Sequence, residues 1–162
     1  MATNAAPIYG KQYIRYAETW EAATNAQVGS PLATAAGTEK GVVEIGELRA
    51  VSYLVSAGAN VAAAPDAFAT FPTTIAGINQ AYMPTALAQP YTARQLTVAT
   101  SGLLLIEVDP ASAAITLNTP LQINQSGQAT NAGTAVTNDG TTPLIREIVN
   151  IGGRKLALVS FA

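Results

Sequence analysis

The run Leu103-Leu104-Leu105-Ile106, with Asp109-Pro110 close behind it, constrains this chain more than any other stretch. It is too short for a helix and has no polar face, so it is expected to be a strand buried on both sides. Around it, Leu96–Ile123 continues with two more short β-prone pieces, Ala114–Leu117 and Leu121–Ile123, separated by Pro120. The C-terminal segment LIREIVNI-GG-RKLALVSF reads as a hairpin. Its two apolar runs flank Gly152-Gly153, the composition of a two-residue turn that needs positive φ. Simple pairing across that turn sets Val149 opposite Leu156, Arg146 opposite Val159 and Leu144 opposite Phe161. One face then carries Ile145, Val149, Ile151, Leu156 and Leu158, and the other Leu144, Ile148, Val159 and Phe161. A hairpin apolar on both faces needs a core on one side and a cover on the other. Asn138-Asp139-Gly140 signals a further turn.

Upstream, GVVEIGELRAVSYLV (41–55) reads as two strands with a bend near Gly46, with Val51, Tyr53 and Val55 on one face. Residues 22–41 have the composition of an extended connector. From Ala67 to Ala93 there is no charged residue, while Pro72, Pro84 and Pro90 prevent a long helix. That segment also carries Phe68, Phe71, Tyr82 and Tyr91, too many aromatics for a disordered linker. It reads as an ordered, irregular excursion lying against something, with room for a short helix at Ile75–Tyr82. The expected organisation is an N-terminal arm and connector (1–40), then a β-rich body (41–162) with its excursion at 56–93. The expected fold is mainly β: a small β-barrel, β-tulip or sandwich body.

Charged residues make up 11% of the 162 positions, against roughly 25% in soluble domains. Such a charge-poor surface suits a protein that lies against other subunits, where charge is depleted at the contact core. A secreted or surface β-protein with a Thr/Asn/Gln exterior is the other reading. Net charge is −2 and no basic cluster exceeds Arg154-Lys155, so nucleic acid is not the expected partner. The N-terminus lacks the basic-then-apolar pattern of a secretory signal, and no apolar run approaches the ~20 residues of a membrane helix. A soluble protein made in the cytoplasm is expected.

Chemistry is sparse. The chain has no His and no Cys, which removes Ser-His and Cys-His nucleophile systems and thiolate metal sites. Glu107 and Asp109, two apart at a strand end, could form a carboxylate pair; a solvated strand end is the plainer reading. Glu44 and Glu47 are a weaker case, and Gly152-Gly153-Arg154-Lys155 lacks a phosphate-loop context. No catalytic residue, cofactor or metal site is expected, and no enzyme.

Residues 8–21 hold four of the chain's ten aromatic residues and four of its charges. Tyr9, Tyr13, Tyr16 and Trp20 share a face if the segment is helical. In a regular strand Tyr9 and Tyr13 would share a face without Tyr16 or Trp20. The rings either pack on the protein's own core or form an adhesive arm, since Tyr, Trp and Arg (here Arg15) are enriched at interface hot spots. Arg94, the one charge between Asp66 and Glu107, either pairs across an interface or is an ordinary solvated side chain.

The strand LLLIEVDP, the step AITLNTPLQIN, the small-residue turn SGQATNAG and the closing strands LIREIVNI and KLALVSF together resemble the small capsid decoration (cement) proteins of tailed bacteriophages. The likeness covers about the last 65 residues; the N-terminal half matches in character only. It implies a small trimeric β body on the outer surface of the mature head, bound to the major capsid protein and cementing neighbouring capsomers. Under that resemblance Tyr9, Tyr13, Arg15, Tyr16 and Trp20 are expected to anchor to the shell. Phe68, Phe71, Tyr82, Tyr91 and Arg94 are expected at the shell or subunit interface. A tail-tube or fibre module, or a β-sandwich glycan-binding module, are the alternatives.

Overall fold

The computed structural model describes residues 12–22, 47–53, 61–63, 72–80 and 95–161, without the side chains of 20–22, 53, 61–63, 95 and 96. Its strands are β1 (Tyr13–Ala22), β2 (Arg49–Tyr53), β3 (Val61–Ala63), β4 (Gly77–Asn79), β5 (Gln95–Glu107), β6 (Gln122–Ile123), β7 (Thr134–Ala135), β8 (Leu144–Ile151) and β9 (Arg154–Phe161). The fold is mainly β. Among the described residues, seven strands form one sheet in the order β1-β3-β2-β4-β5-β9-β8, and β6 and β7 form a second.

β5 is the strand on which the rest is built. β1 lies antiparallel along one edge of it, from Tyr13 opposite Leu103 to Glu21 opposite Gln95. The other edge takes β4 at Val98–Ala99 and then β9 from Gly102 to Glu107. β1 also meets β3, but only through two residue pairs at its end, Glu21 with Val61 and Ala22 with Ala62. The sheets do not close into a barrel.

The apolar run of β5 explains the two-sided packing. Leu104 and Ile106 enter the main core with Ile78, Ile145, Val159 and Phe161. Leu105, between them in sequence, joins Leu48, Leu156 and Leu158 in a second cluster, as period-2 alternation requires. Leu104, Leu105 and Ile106 are fully buried. Leu103 is not; it is 39% exposed, because Tyr13 opposite it is exposed as well. The main core is roofed by the connection from β5 to β8, which contributes Val108, Leu121, Ile123, Ala129 and Val136. That roof is tied down by main-chain bonds, Ala129 N–H to Glu107 O at 2.8 Å, Ala50 N–H to Gly127 O at 2.9 Å and Leu121 N–H to Pro143 O at 2.9 Å. Asn138, buried beneath it, donates its side-chain amide to the carbonyls of Ile75 and Ala76 at 3.0 and 3.1 Å.

Three local expectations change. The room for a helix at Ile75–Tyr82 is taken by β4 as far as it is described: Ile78 pairs with Ala50 on one side and Ala99 on the other. Two flanking strands satisfy its backbone in place of a helical ladder. Ala114–Leu117 forms no strand. Its residues are exposed apart from the half-buried Ile115, and the segment turns at Asn118, whose φ is +61°.

The hairpin turn itself is as expected, with Gly152 and Gly153 at φ +58° and +80°. Val149 faces Leu156, but a bulge between Ile145 and Glu147 shifts the rest of β8 by one residue. Ile145, not Arg146, therefore faces Val159, and Leu144 faces Ser160 rather than Phe161. The shift moves Ile145 into the main core beside Phe161 and leaves Arg146 exposed. Arg146 uses its position to donate to Asn118 Oδ1 at 2.9 Å and Ser160 Oγ at 3.2 Å.

Candidate functional site

The feature of the described surface that asks for a partner is the start of β1. Tyr13 and Tyr16 are 60% and 65% exposed, and Ile14 and Leu103 join them at 40% and 39%. Isolated surface apolar residues need no explanation, but Tyr13, Tyr16 and Leu103 lie on one side of the sheet and form a patch of the kind that marks contact sites, while Ile14, paired with Gly102, faces the other side.

The backbone builds this patch in two steps. Gln12 anchors the strand: its side-chain oxygen accepts the Leu105 N–H at 2.9 Å and its amide donates to Gln80 Oε1 at 3.0 Å. Gly102, at φ +122°, then lets β1 lie close, because a Cβ there would sit 2.0 Å from Tyr13 O. A bulge follows. Ile14 pairs with Gly102 and Tyr16 with Ser101, so Arg15 is an extra residue on β1. Tyr13 and Tyr16, three apart in sequence, thereby take partners two apart, Leu103 and Ser101. The extra residue brings the two rings to one side of the sheet, where a regular strand would divide them. On that side the buried cluster of Leu48, Leu105, Leu156 and Leu158 continues outward through Leu103 to Tyr13.

Of the residues singled out in the sequence, Tyr13, Arg15 and Tyr16 are brought together here. Trp20 belongs to the same strand, opposite Leu96. Tyr9, Phe68, Phe71, Tyr82, Tyr91 and Arg94 lie outside the described residues. Leu103 is an addition. Leu103 carries no sequence signal of exposure, being indistinguishable from its buried neighbours.

Of the other candidates, Glu44 lies outside the described residues and the rest take part in structural contacts. Glu107 accepts from Arg49 at 2.9 Å. Asp109 accepts the Ala111 N–H at 2.9 Å and the Asn124 amide at 3.2 Å, closing the turn that contains Pro110. Arg154 donates to Glu47 Oε1 at 2.9 Å and to the Glu47 carbonyl at 3.4 Å, which ties the β8–β9 hairpin to the residues before β2. No group of three or more Asp, Glu, His or Cys that could hold a metal ion occurs among the described residues. Two shallow cavities of about 160 and 190 Å³ flank Ala114–Ile115, both below the roughly 300 Å³ at which small-molecule sites begin. Among the described residues the surface offers exposed aromatic rings and a strand edge without a partner along most of its length.

The chain matches no protein-family model, no curated protein and no solved structure.

Proposed function

We propose that this chain is a structural virion protein that binds the outer surface of a tailed-phage capsid and cements neighbouring capsomers of the mature head. The observation that carries the reading is the exposed ring pair Tyr13 and Tyr16, with Leu103 of the adjacent strand on the same side, presented by a charge-poor β body. Tyrosines supply large contact area at low entropic cost, and such residues dominate interface energetics. The likeness of LLLIEVDP, AITLNTPLQIN and the closing hairpin to capsid decoration proteins supplies the partner, the major capsid protein. The body in this reading is a two-layer, sandwich-like β unit, with the roof over one face and the tyrosine patch continuing the other.

Removing residues 1–21 would strip β5 of its edge partner as well as remove the rings, so point substitutions are the cleaner test. The double variant Tyr13→Ala/Tyr16→Ala, mixed with shells stripped of this protein, is expected to bind at least about thirtyfold more weakly than the parent, the loss of one hot spot or more. Unchanged binding, with the variant's circular dichroism also unchanged, would remove the basis of the proposal. A second reading has one observation in its favour: Tyr13 and Tyr16 flank Arg15 on the sheet, an arrangement that could stack and hydrogen-bond a sugar. Binding to a glycan array, lost in the same double variant, would select that reading.

A further inference from the structure

The open edge of β1 points to self-association. Among the described residues, nothing pairs with the edge of β1 that faces away from β5 until Glu21 meets Val61. An open strand edge is a template for another strand. Its charges are also unspent. Arg49 is bonded to Glu107, Arg154 to Glu47, and Arg146 to Asn118 and Ser160. Arg15 and Glu18, three apart on β1 and both exposed, have no ion pair or side-chain hydrogen bond among the described residues. The chain is poor in charge, yet it places one free cation and one free anion on either side of the exposed Tyr16.

We infer that this edge pairs with the same edge of a second copy, antiparallel, about a two-fold axis at Ala17. Two-fold contacts are isologous: whatever residue i meets in the second copy, the second copy's residue i meets in the first. In an antiparallel pair such an axis passes through a residue facing itself, and Ala17 is the small residue between the two charges. With Ala17 on the axis, Tyr16 lies opposite Glu18 of the second copy. Arg15 shares the place opposite Ser101 with Tyr16, because of the bulge, and so comes within reach of that same carboxylate. The contact forms twice, and each copy neutralises the other's charge. The two β1 strands then make the sheet continuous across the dimer, while the face carrying Tyr13 and Leu103 remains free. The pairing stands independently of shell binding. It also differs from the trimer implied by the resemblance to decoration proteins, which needs two unlike patches.

Sedimentation velocity over a range of concentrations tests the pairing. The parent is expected to sediment as a reversible dimer. Arg15→Glu and Glu18→Arg, each placing like charges together twice, are expected to raise the dissociation constant by about tenfold or more. The double variant Arg15→Glu/Glu18→Arg restores opposite charges across the axis and is expected to dimerise like the parent. All three should keep the parent's circular dichroism, since both side chains are exposed. A single-copy species at every concentration, a three-copy species, single reversals without effect, or a double reversal that fails to recover dimerisation would each overturn the inference.

Discussion

At the scale of single residues, the patch depends on one position with no side chain. Gly102 sits where β1 approaches β5 closely, and a methyl group there meets the Tyr13 carbonyl oxygen and, at 2.9 Å, the Arg15 amide nitrogen. The φ of +122° adds backbone strain for any other residue. Gly102→Ala is therefore expected to destabilise the protein by about 2 kcal/mol or more and to speed amide exchange across Tyr13–Tyr16 ahead of the rest of the sheet. Urea denaturation and hydrogen exchange measure the two effects; wild-type exchange in β1 would show that the close approach is not what holds it. Nothing in the sequence marks Gly102 as special, because the close approach is made by a strand far away in the chain. The tyrosines were legible as adhesive residues. Their common side was not, because it arises from a bulge formed between β1 and β5, and period-2 counting sees neither strand's partner.

Among the elements, those whose partners are local could be read from the sequence and those whose partners are distant could not. The β8–β9 turn was legible because two glycines and two apolar runs specify it within a few residues. Even there the register failed beyond Glu147. Arg146 reaches Asn118 across the roof, and that long-range bond accompanies the bulge that sends Ile145 into the core. β4 was obscured because GIN has no strand signature of its own and exists by pairing with β2 and β5. Ala114–Leu117 looked β-prone by composition, but no neighbouring edge receives it. The turn offers its own test. Gly153 is at φ +80° with open space around the position of a Cβ, so only backbone strain opposes a side chain. Gly153→Val is expected to cost about 1–2 kcal/mol without altering the β5–β9 pairing, as thermal unfolding and amide-exchange patterns would report. A neutral effect would mean that the turn relaxes to another type.

For the whole molecule, a two-sided apolar strand dictates the architecture. β5 must be covered on both faces, so the connection between β5 and β8 folds back as a roof over one of them, and Leu48 with the β9 leucines closes the other. That much follows from Leu103–Ile106 and the hairpin. The cover on the second face thins toward Leu103 and Tyr13, and there the molecule presents its apolar patch beside an edge of β1 that is open among the described residues. A charge-poor chain with exposed tyrosines gathered on one strand is suited to fixed assembly, as the proposed capsid role requires. The most direct measurement is its copy number in purified phage heads, quantified against the major shell protein before and after mild denaturant strips loosely held components. The proposal predicts a number comparable to that of the shell protein, falling as the strip proceeds. A handful of copies would assign the chain to the tail, and its absence from the particle would contradict the virion reading altogether.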